Sequence, residues 1–158
     1  VQLMDLREGR FFQGPATAVN MDRLLGIAPL GLKPAQWVAL LFGEVTVPDD
    51  AALRYDEKVG RFELVWKYED QLRRVEVDPV TSLVVRIIVT KDESVLSEVE
   101  VKKRDSKGLP TRLRVQVPAT GSDVDIRLRD VDLDVELDPG VFVLHPPKGA
   151  ELEQLGAE

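Results

Sequence analysis

The sequence predicts a mainly β protein in which an antiparallel sheet curves around a short helical plug. Residues 20–43 are the one stretch in which apolar side chains recur at helical spacing, and the period changes to two from Ala51 onward. Turn residues then recur at near-regular intervals, as they do between the strands of an antiparallel meander. One apolar helical stretch followed by many strands is typical of a sheet that packs around that stretch.

Two short extended segments precede the helical stretch. Residues 1–6 have strand character, and Phe11 and Phe12 resume extended structure after a turn. Asn20 is a favourable N-cap residue, and Gly26 is a favourable stop. The sequence therefore predicts a short first helix between these two residues.

A second helix is predicted from Pro34, which suits the first helical position, to Gly43, which suits the end. Trp37, Leu40 and Leu41 share one face of this helix. Its other faces are apolar as well, with Val38, Ala39 and Phe42. We therefore expect the second helix to be buried on more than one side.

Period-two alternation predicts the strands that follow. They are expected at residues 51–56, 62–68, 72–77, 83–89, 95–102, 112–117, 123–137 and 141–144. Glu69 and Asp70 form the expected tip of a tight hairpin. The strand at 83–89 is apolar on both faces except at Arg86, which favours a central position. The tail from Glu151 is expected to be a weak helix or disordered.

The apolar face changes parity within the segment 123–137. Apolar residues are even-numbered up to Leu128 and odd-numbered from Val131. A slip of one residue turns every later side chain to the opposite face of a sheet. A β-bulge or bend near Arg129 and Asp130 is therefore predicted.

Composition narrows the functional classes. The 158 residues are predicted to form a single domain over 1–158, with a net charge of −7 and a pI of about 4.9. This acidity argues against binding to nucleic acid and against electrostatic attachment of the protein to a surface of anionic lipids. Cysteine is absent, and a single asparagine beside many Arg and Glu residues gives a thermophile-like composition. The chain starts at Val1 without a signal peptide, so we expect a processed chain or a fragment.

No catalytic site or cofactor is predicted. Asp130, Asp132 and Asp134 match the first ligands of a calcium loop, but the required Gly and Glu are replaced by Val135 and Val141. The acidic ladder is therefore interpreted as the solvated face of a strand. His145, the single histidine, lies beside prolines, and no nucleophile-elbow motif is present. We expect neither metal binding nor enzymatic activity.

An aromatic stripe admits two interpretations. Phe62, Trp66 and Tyr68 share one face of a strand, and Trp37 and Phe42 occupy the second helix. These side chains either line an apolar ligand cavity or pack together as an ordinary core. Composition alone favours the core.

Several stretches resemble the LolA/LolB-like family of bacterial outer-membrane lipoproteins and lipoprotein-localisation factors. The similarity covers FFQGPATAVNMDRLLGI, LKPAQWVALLFGEV, the strand ladder, KGLPTRLRV and LDPGVFVLHPPKGAE. The closing pattern of Phe142, Leu144, Pro147 and Gly149 is similar to the last strand of that family. Proteins of that family usually have a further N-terminal segment, and its lipoprotein members also carry a signal peptide and an acylated cysteine. None of these is present in this sequence. The resemblance therefore implies either that this chain is the C-terminal part of a longer lipoprotein precursor or that it is only a relative of that family.

The resemblance implies a strongly curved, unclosed half-barrel whose helices cover an apolar cavity. Its expected function is non-enzymatic binding of lipid or lipoprotein acyl chains in the periplasm or at the outer membrane. The residues implied to line the cavity are Trp37, Leu40, Leu41, Phe42, Phe62, Leu64 and Trp66. The alternative is a structural or protein-interaction module of the envelope with a filled core and no ligand. Another envelope protein is a further expected partner, and the oligomeric state is left open.

Overall fold

The structure, a computed structural model, describes residues 2–25, 34–133 and 135–156. The helices are α1 Ala18–Leu25 and α2 Pro34–Leu41. The strands are β1 Gln2–Asp5, β2 Arg10–Gln13, β3 Ala52–Asp56, β4 Arg61–Tyr68, β5 Gln71–Val77, β6 Val84–Lys91, β7 Ser94–Arg104, β8 Pro110–Val117, β9 Ser122–Arg127 and β10 Glu151–Gln154.

Strands β3 to β9 form one antiparallel sheet in which each strand pairs with the next along the chain. The sheet does not close, because β3 and β9 each pair with only one strand among the described residues. Strand β6 occupies the central position, as its apolar sequence predicts. The prediction of a mainly β protein with an unclosed antiparallel sheet is therefore confirmed.

The chain divides into two units. Unit 1 comprises Val1–Pro34 and Asp130–Glu158, and unit 2 comprises Ala35–Arg129. Unit 2 contains the seven-stranded sheet and nearly all of α2, whereas unit 1 contains α1 and a second, smaller sheet. A single domain over residues 1–158 stays a prediction.

Helix α2 starts at Pro34 and ends just before Gly43, as predicted. Gly43 has a φ of +71° and its N–H donates to the carbonyl of Leu40, a conformation that glycine adopts without strain. A Cβ atom at Gly43 would lie 3.0 Å from a guanidinium nitrogen of Arg104 and 3.0 Å from the Pro110 ring. The end of α2 therefore packs closely where β7 ends and β8 begins.

The smaller sheet of unit 1 is built around β2. Strand β2 pairs antiparallel with β1 and parallel with β10. Phe11, Phe12 and Leu155 are buried in this unit. The tail was expected to be helical or disordered, and that expectation is wrong, because β10 gains a backbone partner in β2 that lies far away in sequence.

Helix α1 begins earlier than predicted. Thr17 is the capping residue, since its hydroxyl accepts a hydrogen bond of 3.2 Å from the N–H of Asn20. Asn20 lies within α1, and its side chain is buried. Its side-chain amide donates hydrogen bonds of 2.9 and 2.8 Å to the carbonyls of Pro15 and Gly156. Its predicted role as the N-cap is therefore wrong. The predicted stop at Gly26 lies outside the described residues.

The predicted break near Asp130 is present. The chain bends there, and Asp130 has a φ of +51°. The predicted continuation of the strand to residue 137 is wrong, because β9 ends at Arg127 and residues 131–133 and 135–137 are irregular and exposed. No strand among the described residues pairs with the chain just beyond the bend, so the alternation there does not produce a strand.

The predicted strand at 141–144 is also wrong. Pro139–Phe142 form a 3-10 turn instead. The Asp138 carboxylate accepts the N–H of Gly140 at 2.7 Å, and the Asp138 carbonyl accepts the N–H of Val141 at 3.0 Å. This local hydrogen bonding competes with extended structure.

Replacing Gly14 with alanine should destabilise unit 1 by about 1–3 kcal/mol. A Cβ atom at Gly14 would lie 2.6 Å from the Leu155 Cβ and 2.7 Å from its carbonyl oxygen. Gly156→Ala is the matched control, because no atom of the described residues lies within 4 Å of a Cβ atom there. Urea denaturation should show a lower midpoint for Gly14→Ala only. Equal midpoints for the two variants would contradict the close packing of β10 on the segment after β2.

Candidate functional site

The register of the seven-stranded sheet separates an apolar face from a charged face. One row of residues, paired directly across all seven strands, is entirely apolar: Leu53, Leu64, Val75, Ile87, Val99, Val115 and Val124. The neighbouring row on the opposite side is entirely charged: Arg54, Glu63, Glu76, Arg86, Glu100, Arg114 and Asp125. Residues two positions away along each strand share the face of their row.

The apolar face is buried along its centre. Val75 and Val115 have no exposed surface, and Val99 and Leu113 are also buried. Trp66 lies on the same face and is only 7% exposed. This part of the face is a packed core.

The apolar face becomes exposed toward the β3 edge. Leu53, Tyr55, Phe62 and Tyr68 are between 37% and 64% exposed. The rings of Tyr55 and Phe62 meet edge to face with centroids 5.3 Å apart. Leu64 joins this exposed group to the buried centre, because it pairs with Leu53 on one side and Val75 on the other. An apolar surface therefore runs continuously from solvent to the core.

The residues expected to line a cavity are distributed over unit 2. Phe62, Leu64 and Trp66 lie on the apolar face, with Phe62 the most exposed of the three. On α2 and just after it, Leu40 is buried, whereas Leu41 and Phe42 are half-buried. Val38 is exposed, so the expectation that this helix is buried on more than one side is wrong. The side chain of Trp37 lies outside the described part of the chain. Their role in ligand binding stays a prediction.

Arg73 interrupts the apolar face. It is paired across the sheet with Trp66 on β4 and Val89 on β6, and Val75 follows it on the same face. Its guanidinium carbon lies 4.6 Å from the centroid of the Tyr68 ring. Its Nε is buried and has no hydrogen-bond acceptor among the described residues. A guanidinium is thus held at the border between the exposed and the buried apolar surface.

The charged face is held together by ion pairs across strands. Buried Glu76 accepts a hydrogen bond of 2.6 Å from Arg61 and lies 3.7 Å from Arg86. Hydrogen bonding to Glu98 raises the pKa of Arg86. Near the β9 edge, hydrogen bonds from Arg114 and Arg112 lower the pKa values of Asp123 and Asp125 respectively. These contacts pair most of the named charges of this face with one another.

A shallow basic depression of about 230 Å³ lies at the ends of β7, β8 and β9. Its lining residues are Lys103, Thr111, Arg112, Arg127, Leu128 and Arg129. Asp125 bonds to both Arg112 and Arg127, so part of the positive charge is already compensated. The depression is open to solvent and displays no buried polar group that would orient a ligand.

Nothing in the described residues assembles a metal site, since no three His, Asp or Glu side chains converge there. Asp134, the third residue of the calcium-like pattern, falls outside the described ranges. His145 is exposed. Neither helix in the described part of the chain has the length and apolar character needed to span a bilayer.

Three residues of the apolar face, Arg73, Leu53 and Tyr55, were not predicted as site residues, although the alternation of the sequence assigns each of them to that face. Arg73 has the same parity as Val75 and Val77, which places it on the apolar face once the alternation is followed. Leu53 and Tyr55 alternate with Arg54 in the same way. Their exposure, in contrast, depends on β3 being an edge strand, which the sequence does not specify.

Comparison with known proteins gives no relative from which a function can be transferred. No protein-family model matches the chain, and neither a curated protein nor a solved structure is similar enough to match it.

Proposed function

We propose that this protein binds a lipid or acyl chain on the apolar face of its seven-stranded sheet. The observation that supports the proposal most directly is the continuous apolar surface from exposed Leu53, Tyr55 and Phe62 to buried Trp66. Exposed apolar surface that is continuous with a core is typical of ligand or partner sites. The protein would act without catalysis, as a carrier or receptor in the cell envelope.

The proposed architecture is a LolA/LolB-like half-barrel in which α2 and the apolar face enclose the acyl chain. The unclosed antiparallel sheet and the short apolar helix of unit 2 support this assignment. Burial of each methylene group contributes about 0.8 kcal/mol, so a chain of ten carbons offsets the entropic cost of association. Leu41, Phe42 and Leu64 are half-buried and are the side chains best placed to adjust around it.

Fluorescence of a neutral apolar probe, N-phenyl-1-naphthylamine, tests this function. The probe should bind saturably, with a blue-shifted emission, and 1-dodecanol should displace it below its aggregation threshold. Emission that rises linearly with probe concentration, without displacement, would contradict lipid binding. Native mass spectrometry of the purified protein would detect any bound lipid, and organic extraction of the same sample would then identify it.

A protein-interaction module is the second candidate. Strand β3 favours it, because four of its five residues are exposed and one of its edges has no partner strand among the described residues. Such an edge is able to accept a strand from another protein. The buried centre of the apolar face also agrees with a filled core. Absence of probe binding together with a co-purifying protein would favour this candidate.

A further inference from the structure

We infer that Arg73 binds the anionic head group of the lipid, so the preferred ligand is a single-chain amphiphile with a carboxylate or phosphate group. This inference rests on the proposed function and specifies its ligand class. It starts from the position of Arg73 on the apolar face, between Trp66 and Val89.

Arg73 forms no ion pair within the described part of the chain, whereas Arg61, Arg74 and Arg86 on the charged face do. Its Nε is buried without a hydrogen-bond acceptor among the described residues. Arg10 also has a buried Nε without an acceptor, but its guanidinium forms ion pairs with Glu8 and Glu153. Next to Arg73 in the chain, Arg74 lies on the opposite face and pairs with Glu63. Arg73 is therefore a cation that has no anionic partner among the described residues.

The neighbours of Arg73 fit an anion with an apolar chain. The Tyr68 ring lies against the guanidinium and restricts its orientation, and an Arg side chain presents paired donors that match a carboxylate or phosphate. In the adjoining hairpin, the Asp70 carboxylate is bonded to Lys91, so it is already engaged. The apolar face beside Arg73 then accommodates the chain. Acyl chains attached to a lipoprotein carry no free carboxylate, so a free amphiphile fits this site better.

Displacement of N-phenyl-1-naphthylamine by three 12-carbon ligands tests the inference. The ligands are lauric acid, dodecyl phosphate and 1-dodecanol, each used at pH 8 below its aggregation threshold. A hydrogen-bonded charge pair should make at least one of the two anions bind about tenfold more tightly than the alcohol. The ranking of lauric acid against dodecyl phosphate identifies the head group.

Arg73→Met should remove this preference and leave dodecanol binding within about twofold. Arg74→Met is the matched control, because the same side chain is removed from the next residue on the charged face. It should retain the preference for the anion. Since the Nε of Arg73 has no acceptor, Arg73→Met should melt at a temperature no lower than the unsubstituted protein.

The outcomes separate failure of the inference from failure of the proposed function. Equal binding of the anions and dodecanol to the unsubstituted protein would overturn the role of Arg73 while leaving lipid binding intact. A uniform loss of all three ligands in Arg73→Met would show that Arg73 supports the fold rather than the head group. Absence of binding by the probe and every ligand would overturn both proposals.

Discussion

Replacing Val115 with aspartate should prevent unit 2 from folding. Val115 has no exposed surface and is paired across the sheet with Val99 and Val124, so a carboxylate there would have apolar neighbours on both sides. Burial of an unpaired charge costs several kcal/mol, which is comparable to the whole stability of a domain at about 5–15 kcal/mol. Far-UV circular dichroism should show the loss of strand signal.

Val80→Asp is the matched control for this prediction. Val80 is 90% exposed in the turn between β5 and β6, and the same substitution there should change stability by less than about 0.5 kcal/mol. A cooperative melting transition of Val115→Asp close to that of the control would contradict the burial of the apolar row.

The double substitution Leu53→Asp with Phe62→Asp should abolish measurable lipid binding while the protein remains folded. Both side chains lie on the exposed part of the apolar face. Each apolar side chain covered by a ligand contributes about 1.5–3 kcal/mol, so loss of both should weaken binding by about 100-fold or more. Titration with N-phenyl-1-naphthylamine measures the change directly.

Val59→Asp with Val80→Asp provides the control for the binding experiment. These two valines are also exposed, but they lie in turns outside the apolar face. The control adds the same charge and removes two apolar side chains, so its affinity should stay close to that of the unsubstituted protein. An equal loss in both double variants would indicate a nonspecific effect of charge and remove support for this binding surface.

The sequence specified the large sheet well because the alternation of side chains is local information. Phe62, Leu64 and Trp66 alternate with Glu63 and Val65, and this parity fixed the face of β4 before its partners were known. The parity change after Leu128 likewise indicated the bend at Asp130. Turn residues such as Glu69 and Asp70 then joined neighbouring strands into hairpins.

Long-range pairing was the part that the sequence did not reveal. Strand β10 forms because β2 offers a parallel partner, and Asn20 is buried because its amide meets the carbonyl of Gly156, 136 residues away. Neither partner leaves a local pattern in the sequence. The same limit applies to the candidate site, because the exposure of Leu53 follows from the edge position of β3.

Quenching of Trp66 by a brominated fatty acid is the most direct test of lipid binding on the apolar face. Trp37→Phe leaves Trp66 as the single tryptophan of the chain. Dibromostearic acid should quench its fluorescence saturably below the aggregation threshold, whereas stearic acid should not, because the bromine atoms would lie beside the indole ring. Equal emission with both acids at saturating probe displacement would place the ligand elsewhere. No response to either acid, without probe displacement, would contradict lipid binding itself.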